Sequence, residues 1–460
     1  MALRNSRRMA AVGGALAVVL TAAACGSSDD GSGGGGGGED VEASSIDCAP
    51  YEAFGDLEGT EVSVYTSIIA PEDGPHIASY RPFEECTGVT INYEGSREFE
   101  AQLPVRVQGG NAPDIAYLPQ PGLLRTMVDT GQVVEAPPEV EANVDENMPD
   151  FKEYGTVDGT FYAAPLGANV KSFVWYSPTY FSEGGYEIPT TLDELKALSD
   201  QIVADYPDGS VTPWCAGIES GDATGWTATD WMEDFMLRTA GPEVYDQWVN
   251  HEIPFNDPQV AEALAAVGEY LKNDDYVNAT FGDVRSIATT SFQDAGQPVV
   301  DGSCMMHRQA SFYAANWPEG TNVAEDGDVW AFYLPAETAD ERPVLGAGEF
   351  TAAFADRPEV KAFQTYLSSV EWANERAKTC GTGGCVTANT NADPELLTNP
   401  IDKLSAEQLT DENVTFRFDA SDLMPGAVGA GTFWRGMTDW IIGQGDQETL
   451  DFIENSWPTS

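Results

Sequence analysis

Residues 161–177 read FYAAPLGANVKSFVWYS, and the fold turns on this stretch. It follows the charged turn Asp158-Gly159, opens with small apolar residues, passes Gly167-Ala168-Asn169, and continues Val170-Lys171-Ser172-Phe173-Val174-Trp175-Tyr176. β-Branched and aromatic residues at that density favour a pleated strand. A turn at Ser177-Pro178 follows, and Thr190-Thr191-Leu192-Asp193-Glu194 then reads as a capped helix start. Since αβ units lie on both sides, the strand is expected to cross between two lobes. Side chains two apart share one face of a strand, so Asn169 and Lys171 are expected to look together into the space between the lobes. An ordinary core strand is the competing reading.

Upstream, residues 61–67, 89–94 and 115–118 read as strands, with helices expected over 77–86 and 123–130 and another opening at Ser96. Such alternation predicts a parallel sheet, and in open α/β sheets ligands sit off the carboxyl ends of the strands. Thr66, Ser67, Arg97 and Gln120 fall at or just past such ends. Downstream, helices are expected over 192–206, 231–240, 260–272, 287–295 and 360–374, and strands over 211–218, 302–306, 328–335 and 351–355. Trp226 and Asp230, four apart, would share a face if that segment is helical. Residues 429–436 (GAGTFWRG) lead a helix through Trp440. No internal repeat of 20–50 residues is evident.

The chain of 460 residues is too long for one core and fits two. With 22 Lys and Arg against 75 Asp and Glu, its net charge is −53, which excludes nucleic acid as a partner. Solubility is the plain meaning of that charge; attraction of a cationic ligand is the sharper one. The N-terminus is a targeting segment. A basic start with Arg7-Arg8 leads into an apolar run too short to span a membrane comfortably, and Thr21-Ala22-Ala23-Ala24 precedes Cys25. That pattern resembles a bacterial lipoprotein signal, with cleavage before Cys25 and lipid on its sulfur; Arg7-Arg8 also hints at twin-arginine export. A Gly/Ser/acidic tract follows, a flexible coil whose ~20 residues reach roughly 25 Å. The expected partition is a leader over 1–24, lipidated Cys25 and tether over 25–47, one lobe from 48–168 with 328–374, and a second from 169–327 with 375–460.

Six further cysteines, an even number in an exported chain, imply disulfides. Cys380 and Cys385 close a short loop, Cys48 and Cys86 flank the first αβ unit, and Cys215 is left with Cys304. Zinc competes poorly, because the spacings are wrong and the histidines are few.

Taken in order, these motifs resemble a family. The lipobox and tether, residues 109–115 (GGNAPDI), Asp158-Gly159 before Trp175-Tyr176, Gly225-Trp226, residues 346–349 (GAGE) and Phe433-Trp434 occur as in carbohydrate-binding lipoproteins. From about Gly59 onward the chain resembles the extracellular solute-binding proteins of ABC transporters, in the class of maltose-binding protein and nearest its α-glucoside-binding branch. The resemblance implies a two-lobed α/β periplasmic-binding-protein fold joined by crossing strands and closing on a sugar. It implies an ABC permease as partner, a membrane reached through the lipid anchor alone, and a monomer. It assigns the stacking aromatic to Trp434, a base at the start of the helix after the second strand to Arg97, and the far-lobe aromatic to Trp226. The third-strand loop, Leu118-Pro119-Gln120-Pro121, departs from maltose-binding protein, which argues against maltodextrins.

Sugar chemistry points the same way. Pyranose rings lie their C–H faces on aromatic rings and offer hydroxyl rims to planar polar groups. Candidate partners are Arg97, Gln120, Asn169, Lys171, Asp230 and Glu349 around Trp226, Phe312 and Trp434, with Arg435 beside Trp434. Core packing competes for Trp231 and Phe312, and pairing with the abundant acids competes for Arg308 and Arg435. No HExxH or GxSxG motif occurs, so no catalytic residue, metal or cofactor is expected. An α-linked disaccharide or α-glucoside is the expected ligand. A polyamine-like cation is the rival within the binding class, because acids with aromatics also build cation sites. An exported glycoside hydrolase is the enzyme alternative.

Overall fold

The structure is a computed structural model that describes residues 46–279 and 282–458. The expected leader and the lipidation at Cys25 lie outside the described residues. Strands in chain order are β1 (Glu61–Thr66), β2 (Thr90–Gly95), β3 (Ile115–Leu118), β4 (Thr156–Val157), β5 (Thr160–Phe161), β6 (Ala163–Pro165) and β7 (Asn169–Val170). They continue with β8 (Phe173–Tyr176), β9 (Thr212–Trp214), β10 (Cys304–Arg308), β11 (Trp330–Tyr333), β12 (Pro343–Ala347), β13 (Phe350–Ala353) and β14 (Thr415–Phe418).

Three larger sheets organise these strands. The first runs β2-β1-β3-β13-β6, the second β11-β8-β10-β9, and the third β14-β12-β7. Residues 161–177 thread all three, because β6 lies in the first sheet, β7 in the third and β8 in the second. The expected continuous strand is therefore broken at Lys171-Ser172, where the Lys171 N–H reaches the Leu345 carbonyl at 2.8 Å and the chain changes sheets. The stretch is the crossover between two lobes, and β12 and β14 are its companions in the third sheet. The first sheet is mixed instead of parallel: β1, β2 and β3 are parallel, while β13 returns antiparallel between β3 and β6.

Val62 and Val64 of β1 and Ile115 of β3 bury against Phe83, Phe363 and Tyr366 in the first lobe. In the second lobe, Trp214, Trp231, Met236 and Tyr270 share a core with Phe433 and Met437. Strand 328–335 was expected in the first lobe. Its residues Trp330–Tyr333 instead pair with β8 in the second sheet, where Trp330 and Ala331 join the core around Trp175.

Helix Leu192–Asp205 starts as its sequence predicts. Thr191 accepts from the Glu194 N–H at 3.2 Å, and the Glu194 carboxylate accepts from Thr190. Helix Trp226–Thr239 begins earlier than expected, after Gly225 at φ 112°. The expected helix over 287–295 is two pieces. A 3-10 turn, Val284–Thr289, ends in a hydroxyl-rich stretch, and Ser291 caps a new turn, Phe292–Ala295, through the Gln293 N–H. Hydroxyl side chains compete for backbone groups and favour such restarts. The disulfides are Cys48–Cys86, Cys215–Cys304 and Cys380–Cys385, with Cα separations of 5.5, 5.8 and 6.0 Å. No helix among the described residues is long and apolar enough to cross a membrane.

Candidate functional site

A cavity with about 170 Å³ of water-accessible space lies where the carboxyl ends of β1, β2 and β3 face helix Trp226–Thr239 and the segment after β10. That is far more than a single water needs. Eight of the ten ligand candidates line it: Arg97, Gln120, Asn169, Lys171, Trp226, Phe312, Glu349 and Trp434. One wall is aromatic. Trp226 meets Phe292 edge-on at 5.1 Å between centroids and Phe312 at 6.1 Å. Trp434 is only 3% exposed and donates its Nε1–H to Ser421 Oγ at 3.3 Å.

The lobes are closed around this space. Arg97 Nη2 reaches Glu219 and Ser291 Oγ of the second lobe, both at 3.3 Å. Asn316 Nδ2 donates to Glu72 at 2.9 Å, and Gln293 Nε2 donates to the Ala70 carbonyl at 3.3 Å.

Asp230 and Arg435 do not line the cavity. Asp230 is fully buried behind it and accepts from Lys171 Nζ and Arg308 Nη1, each at 2.9 Å. Its carboxylate is committed to those two cations. Arg435 points outward, 73% exposed, and pairs with Asp439 at 3.6 Å. Successive helical positions are about 100° apart, so the turn that buries Trp434 exposes its neighbour. Arg308 is the paired arginine that its surroundings suggested, joining Asp230 to Asp234.

Lys171 is the junction between the cavity and this buried network. Its ammonium pairs with Asp230 and Asp419 and lies 5.3 Å from the centre of the Trp226 ring. Burial would lower its pKa, but the two carboxylates win and hold it well above the usual lysine value. Behind it, burial pushes Asp230 up to about 6 and Glu233 well above the usual range. Asp234 goes the other way, because Arg238 and Arg308 overcome the cost of its burial. Asp230, Glu233 and Asp419 cluster closely enough to hold a metal ion. Lys171 already supplies the positive charge at that place, and Glu233 caps the Ala420 and Ser421 N–H groups.

Several cavity residues, Glu72, Glu100, His76, Arg376 and Asp422 among them, carried no signal in the sequence. Burial raises Glu72 and Glu100 to about 7 and raises Asp422, as it does the expected Glu349. His76, buried beside Arg376, is held well below the usual histidine value. Arg376 is 5% exposed, and burial lowers its pKa. Phe292 was expected inside a longer helix. The cavity therefore presents aromatic faces, carboxyls whose pKa burial raises, amides and buried cations. Such a surface makes directed hydrogen bonds to hydroxyls and places apolar rings beside them.

The comparisons agree with this geometry. Residues 59–374 match the model of the bacterial extracellular solute-binding protein family. The osmoprotective compounds-binding protein GgtB of Synechocystis sp. is 40% identical over 412 residues, 88% of this chain and 94% of the relative. The alpha-glucosides-binding periplasmic protein AglE of Rhizobium meliloti is 36% identical over 419 residues, 87% of this chain and 88% of the relative. Among solved structures, the bacterial solute receptor AcbH superposes with a TM-score of 0.70 at 18% identity, covering 86% of this chain and 97% of that one. The chain belongs to the bacterial extracellular solute-binding protein family, with the two-lobed α/β fold its relatives share.

Proposed function

We propose that this protein is the solute receptor of an ABC importer, that its solute is an α-glucoside of about disaccharide size, and that Cys25 anchors it by lipid to the outer face of the cell membrane. The observation that carries the solute class is the cavity itself: Trp226, Phe292, Phe312 and Trp434 supply flat apolar faces within reach of Gln120, Asn169, Arg97 and Glu349. The AglE likeness over most of both chains supports the α-linkage. The protein works as a monomer, passes its solute unchanged to permease subunits, and catalyses nothing. The lipobox ending in Cys25 and the Gly/Ser tether support the anchor.

A cationic solute draws support from the four cavity carboxyls. The three cationic side chains that line the same space, Arg97, Lys171 and Arg376, weaken that reading, because they repel a cation. A ligand that binds only folded protein raises the melting temperature by mass action. Trehalose, sucrose and maltose, tested beside putrescine and spermidine, should separate the two readings. A shift with a disaccharide and none with either amine is expected; the reverse pattern would overturn the sugar assignment. Mass spectrometry of the mature N-terminus should find a diacylglyceryl group on Cys25, and an unmodified thiol there would remove the anchor.

A further inference from the structure

The loop closed by Cys380–Cys385 forms part of the cavity wall, as residues 382–387 line it. Neither Cys48–Cys86 nor Cys215–Cys304 contributes a lining residue. Three features fix the loop. Gly383 and Gly384 sit at φ 89° and 81°, a region that suits glycine. Asp402 Oδ1 accepts from the Gly384 and Cys385 N–H groups at 2.6 and 3.2 Å. A Cβ on Gly384 would come within 2.7 Å of Phe312 Cα, so the loop rests directly on the aromatic wall.

Arg376 is bound to the same loop. Its Nη1 donates to Cys385 Sγ, and the Asp402 and Glu349 carboxylates favour its charge from nearby. Burying a guanidinium to 5% exposure is costly, and here burial outweighs those two carboxylates and lowers its pKa. It lies on the cavity wall, where a solute oxygen can take up its remaining N–H groups.

We propose that the Cys380–Cys385 disulfide is a positioning element of the solute site. It holds the Arg376 guanidinium and the 382–387 wall against the cavity, and its reduction by a dithiol weakens solute binding. The proposal rests on the reading of this cavity as the sugar site. In the reduction, a dithiol thiolate attacks one sulfur and forms a mixed disulfide. The second dithiol sulfur then closes on the first. Two electrons pass to the protein, Cys380 and Cys385 each end as a thiol with one proton, and the dithiol leaves as a cyclic disulfide.

The test compares Cys380→Ser/Cys385→Ser with Cys48→Ser/Cys86→Ser. Titration calorimetry is run with trehalose, sucrose and maltose in turn, and hydrogen exchange is read across residues 382–387. The first variant should lose tenfold or more in affinity and exchange faster across the loop. The second should keep its affinity even if it melts lower. Arg376→Lys, with the disulfide intact, should lose affinity by a similar factor at an unchanged melting temperature, which keeps the test alive if the double variant folds poorly. Affinity within twofold of wild type in either the Cys380/Cys385 variant or Arg376→Lys would overturn the proposal, as would unchanged exchange in the former. If wild type answers none of the three sugars, the sugar reading fails by itself, and the exchange comparison still decides whether the disulfide orders the wall.

Discussion

Lys171→Met tests the junction between the crossover and the buried charges. Methionine keeps most of the stem but removes the ammonium from Asp230 and Asp419. Asp230 keeps Arg308, whereas Asp419 keeps the Ser421 hydroxyl and the Asp422 N–H as donors but no cation. Removing one partner of a buried pair costs about 3–5 kcal/mol, and that is the loss expected at pH 8. The sign with pH follows from linkage. Without the ammonium, the Asp419 carboxyl acquires a folded-state pKa above its unfolded value. Such a group stabilises the fold below the unfolded pKa, and that stability is lost as pH rises through the folded pKa. Protonation should therefore recover part of the loss, so the variant is closer to wild type at pH 5 than at pH 8. Urea unfolding at both pH values, with wild type alongside, measures the difference. A loss below about 1 kcal/mol at pH 8, or a loss equal at both pH values, would refute the reasoning. Lys171→Met/Asp419→Asn should regain most of the loss at pH 8.

Trp434→Ala should lower disaccharide affinity at least tenfold by calorimetry, and because the ring is 3% exposed it should also lower the melting temperature; unaltered affinity would make the ring purely structural. Glu72→Gln/Glu100→Gln replaces two carboxyls whose folded pKa of about 7 lies above the unfolded value. Their stabilisation is complete below about pH 4.5 and lost through pH 7, so the variant's gain in melting temperature over wild type should grow from pH 4.5 to 7.5. His76 and His307, both held below the usual histidine value, act in the opposite direction, which is why the comparison is made between variant and wild type at each pH. Gly225→Ala puts a Cβ at φ 112° into the Trp434 carbonyl, so a destabilisation of about 1–3 kcal/mol and weaker sugar binding are expected; a melt within 1 °C of wild type, on the order of the noise between preparations, would count against that packing.

The crossover was legible because period-two patterning and turn residues are local. Arg97 and Gln120 could be placed because strand ends mark where an α/β fold puts side chains, whereas Trp226 and Trp434 came from the resemblance to a family; all four line the cavity. Asp230 and Arg435 show the limit of that reasoning. Both belong to segments that touch the site, and what decides their direction is the phase of a helix whose start could not be read to within one residue. Arg376 and Glu72 were invisible for another reason: a buried arginine and a solvated one look alike in a sequence with this many charges. The placement of 330–333 in the second sheet depends on pairing with a strand more than 150 residues earlier in the chain, roughly the span over which loop closure leaves no local trace.

The position of β13 shapes how the chain can assemble. All four strands of the second sheet come from one continuous run, 173–333, whereas the first sheet stays split into β2-β1-β3 and a detached β6 until β13 arrives between them. In N-to-C synthesis, the sheet whose strands are made first therefore closes only when β13 is made, after all four strands of the second sheet. Until then β3 and β6 present unpaired edges, the kind of surface that recruits other chains. The second sheet has no such wait, although the core of its lobe is closed later by Phe433 and Met437. A destabilising substitution in the first lobe would thus show first as lost yield during biogenesis, before any weakness appeared in the finished protein.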